Sequence, residues 1–258
     1  MRVMTPHLTL LTGASRGMGF AMARQLLTQG HTVLCISRTL QEALVQHAER
    51  TAATLLQWPH DLADSAALGT RLERWLQDSQ EGQDGKAWSS VTLINNAGVI
   101  PRIAPLREAE AGDLARALRV GLEAPMQLTA AFLRATEGWP VQRKVLNISS
   151  GLGRRAMASQ AAYCAVKAGM DHFTRCLALE EALKANGAKV CSLAPGVIDT
   201  DMQQQLRSAD GAAFPDRENF VRLKSGGQLT SPEEAANRVL AYLARPDFGT
   251  QPVADVRD

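Results

Sequence analysis

The chain has 258 residues, of which 45% are hydrophobic and 21% charged, enough for one large α/β domain or two small ones. The formal net charge is +2 and no dense lysine and arginine run occurs, so neither a nucleic-acid nor a membrane surface is indicated. No apolar stretch approaches the roughly 20 residues of a membrane span, and the N-terminus does not resemble a signal peptide.

The four cysteines form no C-x-x-C pair. We expect them to be buried free thiols of a cytoplasmic, reducing compartment. The five histidines are scattered without i,i+4 pairs, so no metal site is expected.

Short apolar runs alternate with longer amphipathic segments along the chain. The apolar runs predict strands at Leu8–Leu11, Thr32–Ile36, Thr54–Trp58, Val91–Ile94, Lys144–Ile148 and Val190–Leu193. The amphipathic segments predict helices at Phe20–Gln29, Leu40–Thr51, Ser65–Gln80, Leu114–Ala135, Ser159–Lys184 and Pro232–Ala244. This alternation predicts one α/β domain over residues 1–258, a Rossmann-type doubly wound parallel sheet with helices on both faces. Ligands are expected at the carboxyl ends of the strands.

Three segments interrupt or end this pattern. Glu81–Trp88, rich in Gly, Asp and Gln, predicts a surface loop, and Asn186-Gly187 predicts a C-cap for the long helix before it. Asp199–Thr230 is polar and poorly periodic, which in an α/β enzyme is typical of a mobile substrate lid.

A glycine-rich loop, Thr12–Gly19, follows the first strand. Its glycines allow the backbone to turn tightly and approach a pyrophosphate, which the following helix N-terminus stabilises. Residues 13–17 also fit the G-x-S-x-G nucleophile elbow of α/β-hydrolases. Only twelve residues precede Gly13, too few for the upstream strands of a hydrolase, and the last third of the chain offers only His172 as a catalytic histidine. A dinucleotide site is therefore favoured.

The end of the second strand, Ser37-Arg38, indicates which dinucleotide is bound. Enzymes that use NAD usually place a carboxylate near this position to accept from the ribose 2′-OH. A hydroxyl followed by a guanidinium suits a 2′-phosphate instead, and Arg16 in the glycine loop would add a second positive charge. We therefore expect NADPH/NADP as the cofactor.

Tyr163 and Lys167 are spaced i,i+4 and share one face of a predicted helix. A free tyrosine has a pKa of about 10, and a neighbouring ammonium, together with an oxidised nicotinamide, is expected to lower it. Ser150 ends the preceding strand, facing the helix, and can hydrogen-bond a substrate oxygen. With the glycine loop, these residues predict a catalytic group in which Tyr163 protonates a ketone oxygen, Ser150 orients that oxygen and Lys167 tunes Tyr163.

The set of motifs resembles the short-chain dehydrogenase/reductase family over essentially the whole chain. The matching motifs are T-G-x-x-x-G-x-G at Thr12–Gly19, N-N-A-G at Asn95–Gly98, Ser150, Y-x-x-x-K at Tyr163–Lys167, and P-G at Pro195-Gly196.

The resemblance implies where the cofactor lies. Lys167 would also hold the nicotinamide ribose, Asp61-Leu62 would lie at the adenine, and Gly196 to Thr200 would border the nicotinamide, while Asn95–Gly98 would support the central strand. The expected cofactor contacts are Gly13, Ser15, Arg16, Gly17, Met18, Gly19, Ser37, Arg38, Asp61, Leu62, Asn96, Ala97, Gly98, Tyr163, Lys167, Pro195, Gly196, Ile198 and Thr200.

Within that family, the C-terminal part is similar to the sepiapterin reductases, through residues 176–181, 199–205 and 246–248 followed by Asp255. The resemblance implies that Asp255 anchors the amino-pyrimidine edge of a pterin, since two carboxylate oxygens can meet two N–H donors. A solvated tail residue is the alternative for Asp255. The expected substrate contacts are Ser150, Tyr163, Gly196 and Asp255.

One position departs from the family pattern. The family usually has a catalytic Asn on the helix before Ser150, which helps to hold a water relay behind the lysine. Gly121 stands in that place, and no Asn occurs between Asn96 and Asn147. The route by which the tyrosine regains its proton is therefore expected to differ.

The sequence thus predicts an NADPH-dependent carbonyl reductase that transfers a hydride to a ketone or 1,2-diketone, of the sepiapterin or aromatic diketone type. The alternatives are an NADP-dependent alcohol dehydrogenase and an NADP-binding regulatory protein with weak activity. The resemblance also implies a homodimer, with a homotetramer as the alternative, paired through the Leu114–Ala135 and Ser159–Lys184 helices.

Overall fold

The computed structural model describes residues 6–80 and 87–258, so residues 81–86 of the loop predicted at Glu81–Trp88 lie outside the described residues. Within the described ranges, the strands form one parallel sheet of order β3-β2-β1-β4-β5-β6-β7. They are β1 (His7–Thr12), β2 (Thr32–Ser37), β3 (Leu55–Pro59), β4 (Ser90–Asn95), β5 (Gln142–Ile148), β6 (Lys189–Ala194) and β7 (Val253–Asp255).

The helices connect these strands and cover the sheet. They are α1 (Gly17–Thr28), α2 (Glu42–Thr51), α3 (Ser65–Gln77), α4 (Ala111–Leu118), α5 (Ala124–Thr136), α6 (Ala161–Ala182), α7 (Asp201–Ser208), α8 (Arg217–Ser225) and α9 (Pro232–Ala244). The doubly wound fold class is confirmed, and so are the predicted strands and helices, with ends shifted by a few residues and with one helix interrupted.

The sheet is buried on both faces because successive strand residues point to opposite sides. Leu10 packs in a core with α3 and α5, whereas the next residue, Leu11, packs in a core with α1 and α9, and both side chains are fully buried. Since β2 and β4 lie on opposite sides of β1, the chain reverses direction across the sheet there. This reversal opens a crevice at the carboxyl ends of β1 and β4, where such folds bind ligands.

The predicted lid, Asp199–Thr230, contains two helices that its weak periodicity did not reveal, α7 and α8. Leu206, Phe214 and Phe220 form a small core there, against which Ile100, Ile103 and Met157 pack from outside the segment. The two ends of the segment lie side by side, because the Asp199 N–H donates to the Thr230 carbonyl at 2.9 Å. The short strand β7 was also missed, since three residues give too little pattern to recognise.

The C-cap predicted at Asn186-Gly187 is wrong. Helix α6 ends at Ala182, and Leu183, in right-handed conformation, is its cap. Gly187 serves a different purpose: a Cβ there would lie 1.9 Å from the Glu181 carbonyl oxygen. The glycine permits a close backbone approach and does not end the helix.

All four cysteines are free, as predicted, but their predicted burial is wrong for two of them. Cys35 and Cys191 are buried, Cys164 is half-buried and Cys176 is exposed. Cys176 falls between the buried positions Thr174 and Leu177 of α6, on the side of that helix that faces solvent.

No helix of the described residues is long and apolar enough to cross a membrane. The same residues contain no group of three His, Cys, Asp or Glu side chains arranged to hold a metal ion.

The helix predicted at Leu114–Ala135 is interrupted by a π-helical segment, Arg119–Glu123, which joins α4 to α5. Such bulges occur often at functional sites. Gly121 lies in this segment and faces α6, where a Cβ would come within 2.5 Å of Val166 Cγ1. The space that an Asn side chain would need is therefore filled by Val166.

Restoring an asparagine at this position is expected to destabilise the protein. Gly121→Asn should lower the free energy of unfolding in urea by about 1–3 kcal/mol, because overpacking displaces neighbouring side chains. Gly112→Asn is the matched control, since no described atom lies within 4 Å of a Cβ there. Adding Val166→Ala to Gly121→Asn should recover part of the loss. Equal stability of the Gly121 and Gly112 variants would contradict the packing explanation.

Candidate active site

A cavity of about 790 Å³ lies at the carboxyl ends of β1, β4, β5 and β6. Every residue that the sequence predicts to contact cofactor or substrate lines this cavity. These residues come from positions as distant as Gly13 and Asp255, so the fold brings the predicted site together in one place.

The glycine loop at one end of the cavity is held by close backbone contacts. Gly13 and Gly17 have φ of +72° and +54°, values that favour glycine. A Cβ on Gly19 would lie 2.1 Å from the Gly13 carbonyl oxygen. Asn96 donates its side-chain N–H to the Thr12 and Gly13 carbonyls at 3.0 and 3.1 Å, which ties the loop to the end of β4. The first turn of α1 then has N–H groups available for an anion.

Ser37 and Arg38 follow at the end of β2. The Ser37 hydroxyl accepts the Ala14 N–H at 2.9 Å, which leaves its own hydrogen available to another acceptor. Arg38 is exposed at the rim. Arg16, expected to add a second positive charge here, instead donates to Asp201 of α7 at 2.8 Å, so its charge is shared with the predicted lid.

Asp61 and Leu62 form the wall expected to meet an adenine. The Ala63 N–H is the largest cause that lowers the pKa of Asp61, burial opposes it, and the Arg116 guanidinium, 3.0 Å from the carboxylate, lowers the pKa further. Asp61 is thus an ionised acceptor fixed in orientation. The wall formed by Asp61 and Leu62, the closely packed glycine loop and the N-terminus of α1 together fit a nicotinamide dinucleotide.

Tyr163, Lys167 and Ser150 meet at the inner end of the cavity. Tyr163 lies in the first turn of α6 with Lys167 one turn later, and the Lys167 Nζ is 5.8 Å from the centre of the Tyr163 ring. Lys167 Nζ donates to the Ile148 carbonyl at 2.7 Å. Ser150 starts a short 3₁₀ turn, where its oxygen accepts the Leu152 N–H at 3.2 Å. The Tyr163 hydroxyl contacts Met202 Sδ at 3.8 Å.

Burial dominates the titration of this group. It raises the pKa of Tyr163 to about 12, despite the opposing hydrogen bond with Ser150. It lowers the pKa of Lys167 to about 8, despite the opposing charge of Asp171. Burial thus outweighs the neighbouring groups for both pKa values, and the Lys167 ammonium is turned to the Ile148 carbonyl. The prediction that Lys167 and an oxidised nicotinamide together lower the pKa of Tyr163 concerns the cofactor-bound protein and stays a prediction. Tyr163 stays protonated across the neutral range, in the form that can donate.

Asp171 is a buried carboxylate behind this group that the sequence reading missed. It accepts the hydroxyls of Ser149 and Ser192 at 2.5 and 2.7 Å and lies 3.3 Å from Arg154 Nε. It is only 1% exposed. Its position one helical turn after Lys167 is the sequence feature from which it could have been identified. Through Arg154, which is partly exposed, the buried network reaches the protein surface.

Asp255, on β7 beside Ala194, also lines the cavity and is 7% exposed, so it is not a solvated tail residue. Its two oxygens accept Nε and Nη2 of Arg257 at 2.7 and 2.6 Å. The Arg257 hydrogen bonds and charge hold the pKa of Asp255 below its ordinary value, against burial. A substrate that uses both oxygens must therefore displace Arg257.

The cavity lining also contains a set of apolar side chains and two glutamines that the sequence reading missed. Gln160 and Gln203 are 2% and 7% exposed, and each has a buried amide oxygen without a hydrogen-bond partner among the described residues. The apolar residues of this lining are Val99, Ile100, Leu152, Met157, Met202, Leu206 and Phe220.

Comparisons with known proteins agree with this geometry. The chain is 37% identical over 239 residues to a benzil reductase, (S)-benzoin forming, of Bacillus cereus, covering 93% of this chain and 94% of that one. It is 31% identical to a sepiapterin reductase of Xenopus tropicalis, covering 92% and 90%. A dehydrogenase structure from Agrobacterium tumefaciens with bound NADP superposes with a TM-score of 0.76 at 26% identity, covering 97% of this chain and 94% of that one. The family model described as short chain dehydrogenase matches residues 7–211. The chain belongs to the short-chain dehydrogenase family, the nicotinamide-dependent oxidoreductases that its motifs predicted.

Proposed function

We propose that this protein is an NADPH-dependent carbonyl reductase that converts an aromatic 1,2-diketone to an α-hydroxyketone. The observation that carries the proposal is the meeting of Ser150, Tyr163 and Lys167 at the inner end of a largely apolar cavity. The similarity to a benzil reductase supports the diketone as substrate class. The raised pKa of Tyr163 supports reduction, since the residue holds the proton that this direction consumes.

Ser150, Tyr163 and Lys167 each have a separate role in this reaction. The nicotinamide cofactor, when bound, supplies the hydride that adds to the carbonyl carbon. Ser150 donates a hydrogen bond to the carbonyl oxygen and orients it. Tyr163 transfers its hydroxyl proton to that oxygen as the C=O double bond becomes a C–O single bond. The Lys167 ammonium stabilises the tyrosinate that remains, and α7 and α8 shield the reacting atoms from water.

Replacing the proton donor tests this assignment. Tyr163→Phe should lower kcat for NADPH-dependent benzil reduction about 100- to 10,000-fold, the range of one general acid, while the Kd for NADPH stays unchanged. Tyr242→Phe, the chain's other tyrosine, is the matched control because it lies on α9 outside the cavity. Turnover retained in Tyr163→Phe would sink the assignment. An inactive wild-type protein that binds NADPH tightly would favour the regulatory alternative raised by Gly121.

The preference for NADPH is supported by Ser37 and Arg38 at the end of β2, where no carboxylate is present to accept from a ribose 2′-OH. It is also supported by the bound NADP of the Agrobacterium tumefaciens structure. Asp61, the nearest acid at this rim, is already held by Arg116. Arg38 remains the cation best placed for a 2′-phosphate.

Arg38→Ala is expected to raise the KM for NADPH about 10- to 100-fold, since a hydrogen bond to a charged group contributes roughly 1.5–3 kcal/mol. The KM for NADH should change little. Arg50→Ala, at the exposed end of α2, is the control and should affect neither cofactor. An unchanged NADPH to NADH preference in Arg38→Ala would count against NADPH recognition at this strand end.

A pterin is the second candidate substrate, favoured by the similarity to a sepiapterin reductase and by the burial of Asp255 in the cavity wall. The Arg257 ion pair opposes it, because that guanidinium already uses both oxygens of Asp255.

Asp255→Ala should therefore separate the two substrates. If Asp255 binds the pterin, kcat/KM for sepiapterin should fall about 10- to 100-fold, as expected for hydrogen bonds to a carboxylate, with benzil changed little. Arg257→Ala, which frees the carboxylate, should then improve sepiapterin reduction. Equal losses with both substrates in Asp255→Ala would make the residue structural.

We also propose a homodimer paired through α4, α5 and α6. Exposed apolar side chains on these helices support it, namely Leu118, Met126 and Leu179. The four free cysteines fit a cytoplasmic location.

A further inference from the structure

Gln160 carries an amide that no other part of the described chain uses. It is the residue immediately before α6, three positions before Tyr163, and its side chain lines the cavity. Its backbone is fully engaged, because its N–H donates to the Met157 carbonyl and its carbonyl accepts the Cys164 N–H. The side-chain nitrogen and oxygen are both buried without a hydrogen-bond partner among the described residues.

An amide in this position has an energetic cost. A buried polar group without a partner costs about 1–3 kcal/mol. The cavity that Gln160 lines also has apolar residues such as Met157 and Phe220, and a methionine of similar volume at position 160 would not carry that cost. Retaining the amide is therefore consistent with a hydrogen bond made to a ligand.

The backbone before Gln160 is also strained. Ser159 has φ of +61°, which costs a non-glycine residue about 1–3 kcal/mol and is found chiefly at functional sites. Its hydroxyl donates to the Ala213 carbonyl at 2.5 Å, in the connection between α7 and α8. Gln160 is thus held between the helix of Tyr163 and the segment that covers the cavity.

Gln160 and Tyr163 lie at the same end of α6 and at the same cavity. Gln160 is the residue just before the helix, Tyr163 lies in its first turn, and both residues line the cavity. Rotation about its last side-chain torsion, which has a broad energy minimum, turns the amide toward the cavity. We take its acceptor to be an oxygen of a ligand that Tyr163 also contacts in this cavity.

We propose that Gln160 is a specificity-determining residue that selects substrates with a second carbonyl beside the reacting one. Its side-chain N–H donates to the second oxygen of a 1,2-dicarbonyl while Ser150 and Tyr163 hold the first. A monoketone leaves the amide buried and unpaired, and such a site discriminates against the analogue that lacks the partner. This inference rests on the proposed reduction of diketones.

The test compares benzil with deoxybenzoin, which differs from it by one carbonyl replaced by a methylene. Gln160→Met removes the donor and keeps the volume, and it should lower kcat/KM for benzil about tenfold, the effect of one hydrogen bond of roughly 1.5 kcal/mol. The value for deoxybenzoin should stay the same or rise. Gln160→Glu, which loses the N–H at constant shape, should lower the benzil value at least as much.

The matched control is Gln127→Met. Gln127 on α5 also has a buried, unpartnered amide oxygen, but it lies outside the cavity. It should leave the ratio of the two kcat/KM values unchanged. Equal losses for benzil and deoxybenzoin in Gln160→Met, or no loss for either, would overturn the proposal.

Binding separates this inference from the proposed function. The Kd of each compound is measured on the NADP⁺-loaded Tyr163→Phe protein, with and without Gln160→Met. Loss of the binding preference for benzil in the Gln160 variant supports the inference, even if the wild-type protein turns over neither compound. Absence of turnover would contradict only the proposed diketone reductase activity. An unchanged preference overturns the Gln160 proposal even if benzil is turned over.

Discussion

The contact between Gly19 and the Gly13 carbonyl determines how the rest of the site is arranged. A Cβ added to Gly19 would lie 2.1 Å from that oxygen. Only glycine therefore lets α1 start directly beside β1. The same contact leaves the Asn96 side chain within reach of the loop carbonyls. The ends of the parallel strands β1 and β4 are thereby tied together, which fixes the position of the α1 N-terminus relative to β5 and α6. This one packing requirement therefore sets the distance between the glycine loop and the group formed by Ser150, Tyr163 and Lys167.

At the inner end, the chemistry depends on how little water reaches Tyr163 and Lys167. Both are almost fully buried, and burial moves their pKa values in opposite directions, up for the phenol and down for the ammonium. The two values, about 12 and about 8, are therefore farther apart than the ordinary values of about 10 and about 10.4. The buried charge of Asp171 opposes the loss of the Lys167 proton. Between pH 7 and 8 most Lys167 side chains keep their charge, and this charge declines as the pH rises through about 8.

Much of this arrangement was predictable because it is local in sequence. The glycine spacing, Ser37-Arg38 and the Tyr163–Lys167 pair each signal their chemistry within a few residues, and the alternation of elements then fixes where they meet. The parts that were missed depend on distant partners. Arg16 meets Asp201, 185 positions away, and Asp255 is occupied by an arginine that the sequence alone could not orient. Whether the Gln160 amide finds a hydrogen-bond partner depends on residues that are distant in sequence, so no local sequence pattern reveals that it has none.

The pairing of Asp199 with Thr230 closes the segment between them at its base. Because the ends of the segment are already joined, a change in its length costs little closure entropy and does not displace β6 or α9. The helices α7 and α8 pack around Phe214 and also against Ile100, Ile103 and Met157 outside the segment. Substitutions within the segment that keep these contacts can reshape the cavity wall while Tyr163 and the glycine loop keep their positions.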